Sequence, residues 1–293
     1  MKDLSDIREV KRILSRHGFH FSKALGQNFL IDPTVCPRMA EACGAGPGVG
    51  VLEIGPGFGV LTQQLAMRAE KVIAVELDKR LPAVLAETLA DFDTVKIVPG
   101  DVLEMDVASL LAQEFAGLRV TVCANLPYYI TSPILMKLLE ERLAVESITV
   151  MVQKEAAERI CAQPGSRQCG AVSVAVQYYA QPEILFDVPR ESFLPAPQVD
   201  SAVIRLAIRE KPPVSLAAPE RDFFRLVRAA FGQRRKTVSN ALCAGLSREK
   251  PAVAAALEQA GIPPSARAEQ LSMEQFGRLC DALFAGGGAG IAE

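Results

Sequence analysis

Histidine is nearly absent from this chain. Its 293 residues hold two, His17 and His20, both close to one end and neither accompanied by a cluster of carboxylates. A Ser-His-Asp or Cys-His mechanism needs a histidine beside its nucleophile, so that chemistry is set aside, and no metal centre is expected. The seven cysteines are scattered, odd in number and without a CxxC pair. That pattern argues against a zinc site or disulfide framework and for free thiols in a reducing cytoplasm. No apolar run reaches ~18 residues, so no membrane span is expected. The N-terminus carries Asp3, Asp6 and Glu9 where a secretory signal needs an apolar core. Net charge is also scarce: the formal sum is −2, which by itself points to no nucleic acid. No repeat with a period of about 20–50 residues is visible.

What is present is apolar residue in quantity, 49% against 23% charged. That composition and length predict a packed core in two domains or one large one. Basic residues are unevenly placed. Lys2, Arg8, Lys11, Arg12, Arg16, Lys23 and Arg38 fall in the first 40 residues, and Arg225, Arg228, Arg234, Arg235 and Lys236 form a second group. Either group serves equally as a solvated helix face, although the run Gln233-Arg234-Arg235-Lys236 is denser than most.

Through the first two thirds, apolar runs alternate with helical patterns. Val49–Ile54, Val72–Glu76, Val95–Val98, Val120–Ala124 and Ser147–Val152 read as strands. Val60–Arg68 and Leu81–Leu89 read as helices. Continuous apolar strands separated by helices indicate a parallel sheet covered on both faces. Glu183–Val188 and Ser201–Ile208 are later strands, with the Pro-rich Phe193–Pro197 between them. Gly170–Ala180 is ambiguous by period and leans towards helix by length. Arg209–Pro219 reads as a linker, after which the pattern is helical. Phe223, Val227, Ala230 and Phe231 share a face, Pro251 suits a first turn, and Ser272 with Gln275 forms a capping box. The Gly286–Gly290 tail is expected to be disordered. The expected architecture is an α/β domain over residues 1–210, with 1–20 as an extension, then a small all-helical domain over 211–293.

Three successive strand ends carry ligand-competent residues. The first runs into Gly55-Pro56-Gly57-Phe58-Gly59 and then a helix. Such glycines let backbone approach a ligand at the carboxyl end of a sheet, although a tight strand-to-helix turn would use the same residues. The spacing is G-x-G-x-G, not the dinucleotide G-x-G-x-x-G. Glu76 ends the second strand, where a carboxylate can accept both hydroxyls of a ribose and repel a 2′-phosphate. Asp101 follows the third, where it can accept from an adenine amino group. Taken singly, Glu76 and Asp101 serve as well as caps or surface residues; in series they resemble the class I S-adenosylmethionine-dependent methyltransferases. That resemblance implies a Rossmann-like, mostly parallel sheet with a late antiparallel strand, S-adenosyl-L-methionine as cofactor, and Asn125 facing the methyl group.

Asn125-Leu126-Pro127-Tyr128 follows the fourth strand. An adenine N6 is a poor nucleophile because its lone pair is delocalised. The Asn125 side-chain oxygen and the Leu126 carbonyl can each accept one N6–H and turn that lone pair towards the methyl donor. Tyr128 offers a stacking face for an extruded base. Phe193, in Phe193-Leu194-Pro195-Ala196-Pro197-Gln198-Val199-Asp200-Ser201-Ala202-Val203, is either the opposing wall or a core anchor.

Together with Gly26-Gln27-Asn28-Phe29-Leu30, Glu76-Leu77-Asp78 and Gly100-Asp101, these motifs resemble the ribosomal RNA adenine N6-dimethyltransferases over about Lys23 to Leu283. The resemblance is strongest to the small-subunit type. It implies dimethylation of two adjacent adenosines near the 3′ end of small-subunit RNA, and a role on the immature 30S subunit. It also implies Asn28 and Leu30 in the cofactor pocket, and Arg234, Arg235 and Lys236 on RNA. A monomer in the cytoplasm is expected. The rival within the same chemistry is the macrolide-resistance type, acting on large-subunit RNA. A small-molecule methyltransferase and a non-catalytic assembly factor are more distant alternatives.

Overall fold

The computed structural model describes Leu4 and residues 6–18, 28–233 and 235–285. Lys2, Asp3, His20, Lys23, Gly26, Gln27, Arg234 and the 286–290 tail, all named above, lie outside the described residues.

Helix α1 (Ile7–Arg16) is capped by Asp6, whose carboxylate accepts from the Arg8 N–H at 2.8 Å. A two-residue strand β1 (Phe29–Leu30) and helix α2 (Val35–Ala42) follow. The alternation then begins: β2 (Val49–Ile54), α3 (Val60–Ala66), β3 (Lys71–Glu76), α4 (Leu81–Thr88), β4 (Val95–Pro99), α5 (Val107–Glu114), β5 (Arg119–Asn125), α6 (Thr131–Glu140) and β6 (Ser147–Gln153). After α7 (Lys154–Cys161) and α8 (Ala171–Tyr179) come β7 (Ala180–Val188), β8 (Phe193–Leu194) and β9 (Ser201–Ile208). The chain continues as α9 (Glu220–Phe231), α10 (Val238–Leu246), α11 (Lys250–Gln259) and α12 (Met273–Phe284).

The main sheet has the order β4-β3-β2-β5-β6-β9-β7. From β4 to β6 every pairing is parallel, and β9 is antiparallel to β6. Every residue of β2 is buried, as a central strand covered on both faces requires. The chain leaves β2 towards β3 and β4, then returns to place β5 on the other side of β2. That reversal opens a crevice between the carboxyl ends of β2 and β5, where open α/β sheets bind ligands. One apolar cluster joins α2, α3 and the sheet through Met39, Leu65, Val51 and Met151. A second gathers Phe29, Phe58, Leu81 and Leu85 with Leu4 and Ile13. Glu87 adds to this side by pairing with Arg16 at 2.6 Å and His17 at 2.8 Å.

Contacts divide the chain into two units, Met1–Ala157 with Gln181–Ile208, and Glu158–Ala180 with Arg209–Glu293. The segment Glu158–Ala180, counted above with the first domain, therefore clusters with the helices. Its reason lies in α8: Tyr178 and Tyr179 donate to the two carboxylate oxygens of Glu220 at 3.0 and 3.1 Å. Tyr179 also stacks on Phe224, and Tyr178 packs on Phe223. In the helical unit, Ser272 and Gln275 make the capping box that opens α12. Pro251 stands in the first turn of α11. The linker read over Arg209–Pro219 holds no helix or strand; Asp281 accepts the N–H groups of Ala217 and Ala218 at 2.8 and 2.9 Å.

Candidate active site

Strand β2 ends in a turn that side chains would obstruct. Gly55, Gly57 and Gly59 have φ of 70°, 58° and 87°, the left-handed region that glycine enters without strain. At Gly57 a Cβ would also meet the Phe29 ring at 3.1 Å. Phe29 stacks on Phe58 with centroids 4.0 Å apart, so the motif around Asn28 packs directly on the glycine turn.

Four strand ends meet at this crevice. Glu76 closes β3, nearly buried, and its carboxylate accepts the Asp78 N–H at 2.7 Å. Burial pushes its pKa up, while the main-chain N–H groups of Asp78, Gly57 and Leu77 oppose the rise. Asp78 is in turn clasped by Arg80, with Nε and Nη2 at 2.9 and 2.6 Å from its two oxygens. Asp101 follows β4 and accepts the Leu103 N–H at 2.9 Å. Asn125 is the last residue of β5, opposite Met151 of β6. The Leu126 N–H donates to the Met151 carbonyl at 3.2 Å, and the Leu126 side chain is 1% exposed. Tyr128 opens a 3-10 turn, Tyr128–Ile130, and the Thr131 hydroxyl donates to the Pro127 carbonyl at 3.2 Å.

Asn28, Leu30, Gly55, Gly57, Glu76, Asp101, Asn125, Leu126, Tyr128 and Phe193 all line one pocket. Its space, counted out into the open solvent of the mouth, is about 1190 Å³. Phe193 is 3% exposed, clusters with Cys123, Met151 and Val203 in the core, and also lines the pocket. Arg235 and Lys236 do not line this pocket. They are exposed in the second unit, between α9 and α10.

Some contributors escaped the sequence reading. The pairs Phe29↔Leu194 and Leu30↔Phe193 join β1 to β8 and bring two distant motifs together. Leu77 and Tyr129, 48% and 57% exposed, stand among the lining residues as apolar surface. Glu53 lies within β2, is 1% exposed, and its Oε2 has no hydrogen-bond partner among the described residues. Burial, with the negative charge of Glu76 adding to it, pushes its pKa up to about 8. The signal for Glu53 was visible: a lone carboxylate in an apolar strand, two residues before the glycine turn.

The polar groups fit S-adenosylmethionine. Glu76 suits a vicinal diol, Asp101 an amino-bearing base, and the orphaned oxygen of Glu53 a cation, all around a turn that glycine keeps open to a ligand. Among the described residues no group of three or more His, Cys, Asp or Glu is placed to hold a metal, and no helix is long and apolar enough to cross a membrane.

The sequence model of the family described as ribosomal RNA adenine dimethylase matches residues 18–284. The "Ribosomal RNA small subunit methyltransferase A" of Shouchella clausii is 50% identical over 286 residues, covering 97% of this chain and 96% of that protein. Its counterpart in Geobacillus thermodenitrificans is 48% identical over 287 residues, covering 97% and 98%. Among solved structures, the 23S rRNA methyltransferase ErmE superposes with a TM-score of 0.65 at 31% identity, covering 87% of this chain and 99% of ErmE. A dimethyladenosine transferase from Plasmodium falciparum superposes with a TM-score of 0.71 at 25% identity, covering 86% and 95%.

Proposed function

The chain belongs to the ribosomal RNA adenine dimethylase family, and we propose on that footing that it dimethylates adenosine N6 in small-subunit ribosomal RNA. The substrate is two adjacent adenosines near the 3′ end, presented by the immature 30S subunit. One observation carries this reading: the diol- and base-reading carboxylates and the Asn125–Tyr128 turn line the same pocket at the switch point of the sheet.

S-adenosylmethionine supplies an electrophilic methyl on a sulfonium. Glu76 would accept from the two ribose hydroxyls, and Asp101 would accept from the cofactor's adenine amino group. Leu77 gives that adenine an apolar neighbour, and the Gly55–Gly59 backbone approaches the methionine part. Asn28 and Leu30 complete the wall, and Glu53 pairs with the ammonium. On the target side, the Asn125 side-chain oxygen and the Leu126 carbonyl accept the N6 hydrogens of the extruded base. They would turn its lone pair towards the methyl donor. Tyr128 stacks on one face of the base and Phe193 closes the other. The bound donor would supply the methyl group, its carbon–sulfur bonding pair departing on sulfur. The methylated nitrogen is then acidic and gives its proton to water, so no catalytic histidine is required.

The helical unit contacts ribosomal RNA through Arg234, Arg235 and Lys236, and the protein works as a cytoplasmic monomer. The free state of all seven cysteines is compatible with that compartment. The small-subunit substrate is favoured by the identity of about half to the two named relatives, against 31% to ErmE.

The test is mass mapping of ribosomal RNA after incubation with the protein and S-adenosylmethionine. Immature 30S particles and naked large-subunit RNA are the two arms. Paired N6-dimethyladenosines near the 3′ end of the small-subunit RNA are expected. A single modified adenosine in the large-subunit arm would transfer the reading to the macrolide-resistance type. In the same assay Asn125→Ala is expected to lose on the order of 10²–10³ in rate, the cost of removing one preorganised polar group. Its cofactor affinity should change little.

A further inference from the structure

A tyrosine ring swings about two single bonds, and a stacking wall works only when the ring is held in place. The turn at Asn125–Tyr128 places the Tyr128 backbone but does not set its ring. The first of those rotations is held at the far end: the Tyr128 and Ser201 hydroxyls share a hydrogen bond of 2.7 Å, which fixes where the ring sits. Ser201 is the first residue of β9 and is fully buried, at 0% exposure. Among the described residues this is the one hydrogen bond its side chain makes.

The reach across 73 residues follows from the antiparallel strand. β9 pairs with β6 so that Ser201 stands opposite Gln153, and β9 therefore starts where β6 ends. That is the sheet end carrying Asn125, which stands opposite Met151. A parallel strand at this place would begin at the far end of the sheet. Asp200 fixes the entry: its carbonyl accepts the Lys154 N–H at 3.0 Å, and its carboxylate the Arg190 N–H at 3.1 Å. The same segment carries Phe193, anchored to β1 through Leu30.

We propose that Ser201 is a positioning residue for the methyl transfer, holding the Tyr128 ring in the place where it stacks on the target base. The segment from Phe193 to Ser201 then sets both walls of the base site, one through a ring and the other through a hydroxyl. This rests on the reading of Asn125–Tyr128 as the adenine site.

The test compares Ser201→Ala, Tyr128→Phe and the double variant with wild type, in turnover on 30S particles. Cofactor binding and thermal unfolding are measured beside it. Each single variant should lower kcat roughly 3- to 10-fold, the size of one neutral hydrogen bond, with cofactor affinity and the KM for RNA unchanged. The double variant should be no slower than the slower single, because both changes cut the same bond. Tyr128→Phe leaves a buried hydroxyl unpaired, so the double variant should melt above it. Multiplied losses in the double variant, or wild-type kcat in either folded single, would overturn the proposal. If Ser201→Ala does not fold, Tyr128→Phe alone decides. A wild-type protein that leaves ribosomal adenosines unmethylated removes the functional reading and this proposal with it. An active wild type with a fully active Ser201→Ala removes this proposal alone.

Discussion

Glu53 is the costliest single residue in the sheet. A carboxylate buried in a central strand holds its proton more tightly, because burial penalises the charged form. Its pKa is pushed from the usual 4.5 up to about 8 by burial, with Glu76 adding to the rise. The folded chain thus binds a proton more tightly than the unfolded chain does. The resulting stabilisation is complete below about pH 4.5 and is lost as pH rises through about 8. The ligand-free protein should therefore lose on the order of 2 kcal/mol between pH 6 and 8. For a chain this size that is roughly 5 °C of melting temperature. Glu53→Gln should flatten that dependence, as scanning calorimetry at the two pH values would reveal; an equally steep loss in the variant would place the titrating group elsewhere. The ammonium proposed for this position acts in the opposite sense, favouring the ionised carboxylate.

At the scale of elements, legibility follows from where each contact is encoded. β2, β3 and β5 are buried on both faces, so they read as nearly continuous apolar runs whose ends are visible as Gly55, Glu76 and Asn125. The β1–β8 pair spans two residues on each side, too short for any period, and its partners are more than 160 positions apart. α8 reads as a helix from its own length, but its packing on α9 depends on Glu220, a residue with no local mark. Leu126 belongs to the same class. Its N–H extends the β5–β6 ladder one residue past Asn125, which pins the turn that presents its carbonyl. Proline at this position has no N–H to give Met151 and would tighten φ. After the first transfer one N6–H remains, so one acceptor must tolerate losing its donor. Leu126→Pro should raise the ratio of monomethyl to dimethyl product, read by mass spectrometry of digested RNA; an unchanged ratio would show that the residue is indifferent to the second transfer.

For the whole molecule, net charge conceals the distribution that matters. The chain sums to −2, yet α9 exposes Arg225 and Arg228, and the segment after it exposes Arg235 and Lys236. Neither Arg235 nor Lys236 makes an ion pair among the described residues. Cations left unpaired on a helical surface bind phosphate by releasing its counterions, and each contact adds about 0.7–0.9 to the slope of log K against log salt. Replacing Arg234, Arg235 and Lys236 by glutamine should weaken binding to small-subunit RNA at low salt and lower that slope by about 2. The loss should shrink as salt rises, and methyl transfer at saturating RNA should keep its wild-type kcat, because Arg235 and Lys236 are not among the pocket-lining residues. Titrations of labelled RNA at several salt concentrations measure both quantities. An unchanged slope would make the cluster a solvated face and send the search for the RNA surface to Arg225 and Arg228.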